Sequence, residues 1–286
     1  MSQSIREVLS VCVHLTIIVF LLSTMLSIGS GLAIRQILGP LRNARLVITS
    51  LTVSYIVVPL IAIGIAKIIS LEQPLKRGLI LLSLTAGSEA LPKLAAIAGG
   101  NISLSVALMS MQLVVTMLYV PMLLAALLPT VQVDSLKLLL KLLFLVLLPL
   151  AFGLLLKARH GVIAERVHWW MENISTVAMI VLIPLIVILG FGEIVKIFGS
   201  GAILAGLIFI LASFTAGYLL GGPGGDTKLT IGLGAGARNA SIALVIASQV
   251  FEDPDVVTMV MVTTIVGLII MLPTAYWLGH RGESVC

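Results

Sequence analysis

Leu84–Ala98, LTAGSEALPKLAAIA, lies inside a long apolar run, yet it carries Glu89 and Lys93 one helical turn apart with Pro92 between them. The pattern returns at Leu229–Ala243 as LTIGLGAGARNASIA. Laid over one another without a gap, the two share L-T-x-G-x-x-A-x-x-[KR]-x-A-x-I-A, with Lys93 against Arg238. Matches of Leu, Ala and Gly come cheaply in so apolar a chain. A basic residue at the same place in two apolar runs does not. The copies start about half the 286-residue chain apart.

The rest of the composition says what kind of chain holds them. Hydrophobic residues make up 59%, charged residues only 10%, and the mean hydropathy is +1.21. Soluble domains carry about a quarter charged residues. Apolar runs long enough to cross a bilayer recur along the sequence and are continuous rather than alternating, which selects helices and excludes a β-barrel. The expected fold is an all-α polytopic membrane protein with nine transmembrane segments. Their approximate ranges are 8–34, 45–69, 77–98, 102–129, 136–157, 173–191, 198–220, 227–250 and 256–279. The first is too long for a signal-peptide core and is kept as a span of the mature chain.

Connections are short and polar: Gly39-Pro40 with Arg42 and Arg45, Glu72-Gln73-Pro74, Gly99-Gly100-Asn101 and the glycine-rich 221–226. The longest polar link, Lys157–Glu172, contains Trp169-Trp170 and suits a membrane interface. The net charge of +5 marks loops and not nucleic-acid binding. Basic residues are almost balanced between the two faces. The Arg35–Arg45 cluster after the first span places the N-terminus outside and the C-terminus in the cytoplasm of a cell (inner) membrane. Cys12 and Cys286 offer no disulfide framework. No catalytic triad, metal-ligand cluster or nucleotide fingerprint is visible, and Gly221–Gly225 lacks the Gly-Lys-Ser/Thr of a phosphate loop. The expectation is therefore not an enzyme, with no cofactor and no metal.

Of the 17 Lys and Arg, all but Lys93 and Arg238 fall in or beside loops, and Glu89 is the one acid well inside a segment. Segments three and eight are five spans apart, so the two copies insert in opposite directions. That makes an inverted repeat of two halves, 1–130 (segments one to four) and 131–286 (segments five to nine). Inverted repeats with interrupted helices at their junction characterise many secondary transporters. Pro92 is expected to start the second half of a broken helix, because it lacks a backbone donor and crowds the preceding turn. Gly232, Gly234 and Gly236 are expected to loosen the helix before Arg238.

A charge at mid-membrane costs at least ~2.5–3.5 kcal/mol, so function is the default expectation. The plainer alternative is a buried cation fixed by Glu89 or by carbonyls. Glu89 to Lys93 is an i, i+4 pair in the favourable order, which would leave Arg238 as the unpaired cation. With half-helix N-termini nearby, such a site favours an anion. Glu89 is either the counter-ion of the cations or a group that titrates during transport. Asn101, Ser105 and Asn239 are further polar candidates beside the repeated stretches.

Ala98–Leu108, AGGNISLSVAL, resembles the R-G-N-x-x-L-S-V-A stretch of bile acid:sodium symporter (BASS) proteins. Gly236–Leu244, GARNASIAL, is similar to that family's G-x-Q-N-x-x-L-A motif. The resemblance runs over segments two to nine. It implies a core domain, 45–129 plus 198–279, with two broken helices that cross, and a panel domain, 8–34 plus 136–191. It further implies substrate bound between them, elevator-type alternating access, and a nine-helix form lacking one N-terminal helix.

The departures carry as much information. Where sodium-coupled members have Ser-Asn in the first crossing region, this chain has Leu91 and Pro92. Their Glu and Gln of the second crossing helix become Gly234 and Arg238. A downstream Thr becomes Met109, a Gln on the preceding helix becomes Ser54, and Ser105 is retained. A fixed cation in place of oxygen ligands would repel Na⁺. The resemblance thus implies a sodium-independent secondary carrier of organic anions, bile-acid-like or small carboxylates. Its partners are that anion and the lipid bilayer, with no nucleic acid and the oligomeric state open. The alternatives are a proton-coupled anion carrier using Glu89, and a membrane ligand sensor that moves nothing.

Overall fold

The computed structural model describes residues 3–32, 43–127, 135–197, 200–251 and 253–283, and every regular element among them is a helix. In chain order these are α1 (Gln3–Gly31), α2 (Ala44–Ile68), α3 (Gln73–Leu84), α4 (Leu91–Ile97) and α5 (Ile102–Leu127). There follow α6 (135–159), α7 (Gly161–Ile197), α8 (Ala202–Leu220), α9 (Gly225–Gly236), α10 (Ala240–Val250) and α11 (Pro254–Glu283). Arg35, Arg42 and Gly39-Pro40, the boundary expected near 130, and Cys286 lie outside the described residues.

Seven helical stretches among the described residues are long and apolar enough to cross a membrane. Two of the nine expected segments are not among these seven. Segment three is α3 and α4 with a non-helical stretch, 85–90, between them. Segment six lies within α7, which also absorbs most of the polar link from Lys157 to Glu172. The link is expected to be an interfacial connection with an amphipathic patch, and from Gly161 it is helical. After Gly161 it holds neither Gly nor Pro until Pro184, so nothing interrupts an amphipathic helix. Lys157 pairs with Glu165 at 3.3 Å across the 159–161 corner, and the Trp169–Trp170 rings meet edge-on at 4.9 Å on an exposed face.

α1 packs chiefly on α6 and α7, whereas α8 packs on α9 and α3 on α11. The first contact is close because glycines face each other. A Cβ on Gly29 would stand 2.3 Å from the Leu150 carbonyl oxygen, and one on Gly153 2.6 Å from the Ser30 amide. Small residues at such a seam let backbones approach where apolar burial alone drives nothing together. Polar ties add to it: Thr24 and Ser175 hydroxyls meet at 2.5 Å, and His168 Nδ1 sits 3.0 Å from the Ser27 hydroxyl.

α2 and α6 each contain a π-wound turn, Val53–Val57 and Leu143–Leu147. Each is followed two residues later by a proline, Pro59 or Pro149. Proline has no amide hydrogen, so the helix before it cannot be closed in the ordinary register. In α2 that local defect has a use.

Candidate functional site

Two interruptions of helix meet inside the protein: residues 85–90 between α3 and α4, and residues 237–239 between α9 and α10. Backbone groups freed at membrane depth must be paired within the protein. At the first break the pairing can be followed group by group. The Thr85 carbonyl accepts from the Asn239 amide at 2.9 Å. The Ala86 amide donates to Thr116 Oγ1 at 3.2 Å, and that hydroxyl is 3.1 Å from the Ala86 carbonyl. The Gly87 amide donates to Gln112 Oε1 at 3.2 Å, and its carbonyl accepts from Asn239 Nδ2 at 2.8 Å. Gly87 has φ +81°, and a Cβ there would lie 2.7 Å from the Leu113 amide nitrogen. Only glycine fits that position. Pro92 then stands in the first turn of α4, where a missing donor costs nothing.

The second break supplies donors. Arg238, 6% exposed, donates through Nε to the Leu82 carbonyl at 3.4 Å and through Nη2 to the carbonyls of Ser54, at 3.3 Å, and Ser83. The Ser54 carbonyl is available because of the π turn. The Val58 amide reaches back to Val53, and the next candidate donor would be Pro59, which has none. The neighbouring Tyr55 carbonyl accepts from the Tyr119 hydroxyl. Tyr55 in turn donates to the Gln112 carbonyl at 2.5 Å, and Gln112 Nε2 donates to the hydroxyls of Ser50 and Ser54, each at 2.9 Å. One hydrogen-bonded unit therefore joins α2, both breaks and α5.

Three expectations change here. Glu89 and Lys93 do not pair, because 85–90 is not helical and the i, i+4 spacing has no meaning across it. Ser241 donates to Glu89 Oε1 instead, while Lys93, its side chain 76% exposed, pairs with Glu172 on α7 at 3.3 Å. Glu172 also lies 3.5 Å from His168 Nε2. Arg238 is not a bare cation, since three carbonyls surround it. Gly232, Gly234 and Gly236 stay helical, and the helix ends only after them. They serve close packing: Leu91 lies against Gly234, and Gly217 of α8 faces Gly232.

Beside the crossing is a cavity of about 140 Å³. Its wall includes Glu89 and Arg238, with Phe20 of α1, Met179 of α7, and Leu268 and Met271 of α11. Arg238 Nη1 and Glu89 Oε2 are buried and have no hydrogen-bond partner, and the two side chains form no ion pair with each other. The other expected site residues surround the crossing without lining the cavity. Asn239 Oδ1 caps α10 by accepting from the Ile242 amide at 2.9 Å. Asn101 Oδ1 accepts from the Leu104 amide at 2.9 Å, and Ser105 donates to the Ile102 carbonyl at 2.7 Å. The Met109 carbonyl lies against Gly87. Gln112, Thr116 and Tyr55 went unforeseen. The available signal was polarity inside apolar runs, above all a lone Gln in segment four. Among the described residues no group of three His, Cys, Asp or Glu could hold a metal ion.

Comparison with known proteins identifies relatives of the chain. The model of the sodium bile acid symporter family matches residues 18–200. The chain is 29% identical over 241 residues to the probable sodium/metabolite cotransporter BASS1, chloroplastic, of Arabidopsis thaliana, covering 83% of this chain and 60% of that protein. It is 27% identical over 237 residues to the probable sodium/metabolite cotransporter BASS2, chloroplastic, of Oryza sativa subsp. japonica, covering 80% of this chain and 56% of that protein. The chain thus spans less than two thirds of the length of these relatives.

Proposed function

The chain belongs to the sodium bile acid symporter family, a family of membrane transporters, and on that premise we propose that it is a sodium-independent secondary carrier of small organic anions. The observation that carries the proposal is Arg238. Carbonyl oxygens gathered by a helix break and a π turn are ligands suited to a hard cation such as Na⁺. Here those of Ser54, Leu82 and Ser83 already receive the guanidinium. A tethered cation holds the crossing together and cannot dissociate with a gradient. Its remaining nitrogen, Nη1, is the natural contact for an anion in the adjoining cavity.

The motion we propose is elevator-type. The broken helices, α2, α5, α8 and α11 form a core, and α1, α6 and α7 form a panel, in an inverted-repeat topology with the N-terminus outside. The cavity lies where the two groups face each other, with Phe20 and Met179 from one and the crossing from the other. The ion pair between Lys93 on α4 and Glu172 on α7 bridges the same division, so a shift of one group would break it.

Purified protein in proteoliposomes tests this directly. Counterflow of a labelled organic anion should proceed at the same rate with and without an imposed Na⁺ gradient. Clear stimulation by sodium would sink the ion-replacement idea, and ligand binding without counterflow would favour a sensor. A proton-coupled variant is favoured by one observation, the unpartnered Oε2 of Glu89 in the cavity wall. Uptake driven by a pH gradient and abolished in Glu89→Gln would establish it.

A further inference from the structure

Among the described residues lining the cavity, three buried polar atoms have no partner, Arg238 Nη1, Glu89 Oε2 and the Thr263 hydroxyl, and the two that carry charge are of opposite character. Arg238 Nη1 can only donate, and Glu89 Oε2 as a carboxylate can only accept. Each residue's other end is already fixed. Arg238 is held by Leu82, Ser54 and Ser83, and Glu89 by Ser241. The side chains therefore cannot turn to satisfy one another without giving up those bonds, and they form no ion pair as they stand. A ligand that carries only an anionic group answers Arg238 and leaves Glu89 facing a negative charge in an apolar pocket. A ligand that also carries a donor answers both.

Size narrows the choice further. A cavity near 150 Å³ lined by apolar side chains accommodates a molecule of about benzene's size. The volume here is about 140 Å³, and the remaining wall is mostly apolar, Phe20, Met179, Leu268 and Met271 among it, with the hydroxyls of Ser88, Thr263 and Thr264 as its other polar side chains. A short branched carbon chain fits that volume.

We propose that the substrate site selects small carboxylic acids bearing a hydroxyl or ammonium donor, the carboxylate bound by Arg238 Nη1 and the donor by Glu89 Oε2. This rests on the carrier function proposed above and adds a substrate class to it. The keto analogue of the same skeleton presents an acceptor to Glu89 and is disfavoured, since a site built to bind a donor discriminates strongly against the ligand that lacks it.

Four ligands of one skeleton decide it: α-hydroxyisovalerate, valine, α-ketoisovalerate and isovalerate. Each is titrated against the full chain in nanodiscs by thermal shift, and each competes in proteoliposome counterflow. The hydroxy acid, the amino acid or both should bind at least about tenfold tighter than the keto acid and isovalerate, the size of one hydrogen bond to a charged group. Which of the two binds shows whether the donor is hydroxyl or ammonium. In Glu89→Leu the four affinities should converge, with the melting temperature of the ligand-free variant reporting its fold, and an undiminished preference for the donor-bearing acids there overturns the assignment. Keto acid binding equal to or tighter than the hydroxy and amino acids overturns the assignment. Transport of larger anions with no preference in this series overturns the substrate class alone, whereas absence of any anion counterflow overturns the carrier function beneath it.

Discussion

Lys93 and Arg238 occupy one column of the repeated sequence pattern and do opposite things. Arg238 is enclosed and spends its guanidinium on three backbone carbonyls. Lys93 leans out of a seven-residue helix and pairs with Glu172, with both side chains substantially exposed. The difference lies in what precedes each. Ahead of Lys93 the backbone unwinds over residues 85–90, so the break itself consists of acceptors and donors that need partners. Ahead of Arg238 the helix runs on through Gly236, and the short break hands over side chains and one amide. One copy asks for hydrogen bonds and the other supplies them. Matching residues in a repeat can therefore share position without sharing chemistry.

Removing the supplier should hurt most. Arg238→Gln strips the buried carbonyls of Ser54, Leu82 and Ser83 of their common donor. A loss on the order of 3 kcal/mol is expected in detergent unfolding titrations, with transport abolished. Unchanged stability would mean the crossing is held by something else. Gly87→Ala comes next at about 2–3 kcal/mol, combining a positive φ with a Cβ pressed against the backbone of α5. Gly99→Ala is its control: φ is also positive, 68°, but a Cβ there meets nothing within 4 Å. Only about 1 kcal/mol should be lost, and equal melting points for the two variants would refute the close-contact explanation.

Gln112→Leu tests the demanding side of the comparison. It leaves the Gly87 amide without its acceptor and should cost about 2 kcal/mol, with faster hydrogen exchange at residues 85–90. Lys93→Ala should be the mildest. Its pair with Glu172 is exposed and worth under about 1 kcal/mol, so melting should barely move. The counterflow rate should change nonetheless, and more at low salt than at high. A large stability loss in Lys93→Ala would erase the distinction between the two cations.

Much of this was visible beforehand, for physical reasons. Apolar runs and their punctuation by Gly and Pro follow from bilayer thickness and backbone chemistry, so the spans and the helix start at Pro92 could be read directly. Arg238 stood out because a lone buried cation in an apolar run is costly. Its partners could not be read. Backbone carbonyls carry no sequence signature, and the one at Ser54 is freed by a π turn whose only trace is Pro59. The Glu89–Lys93 pair failed because spacing rules assume the helix they are used to infer. The polar link after Lys157 carries an amphipathic pattern suited to an interface, but polarity alone does not say that it joins the next span as one continuous helix, α7.

The stretch Gly225–Val250 has a further consequence. Of the seven stretches that could cross the membrane it is the least apolar and by far the most enclosed by its neighbours. On entering the bilayer alone it would expose the break at 237–239 and the Arg238 side chain to lipid, before α3 and α5 could answer them. The chain order removes that difficulty. α2, α3 and α5 are synthesised and inserted first, so the acceptors wait for their donor. Biogenesis then becomes a docking event, in which the late span partitions into an existing protein surface more than into hydrocarbon. A chain lacking residues 1–83 should accordingly leave that span poorly retained in the membrane, even though every residue of it is intact.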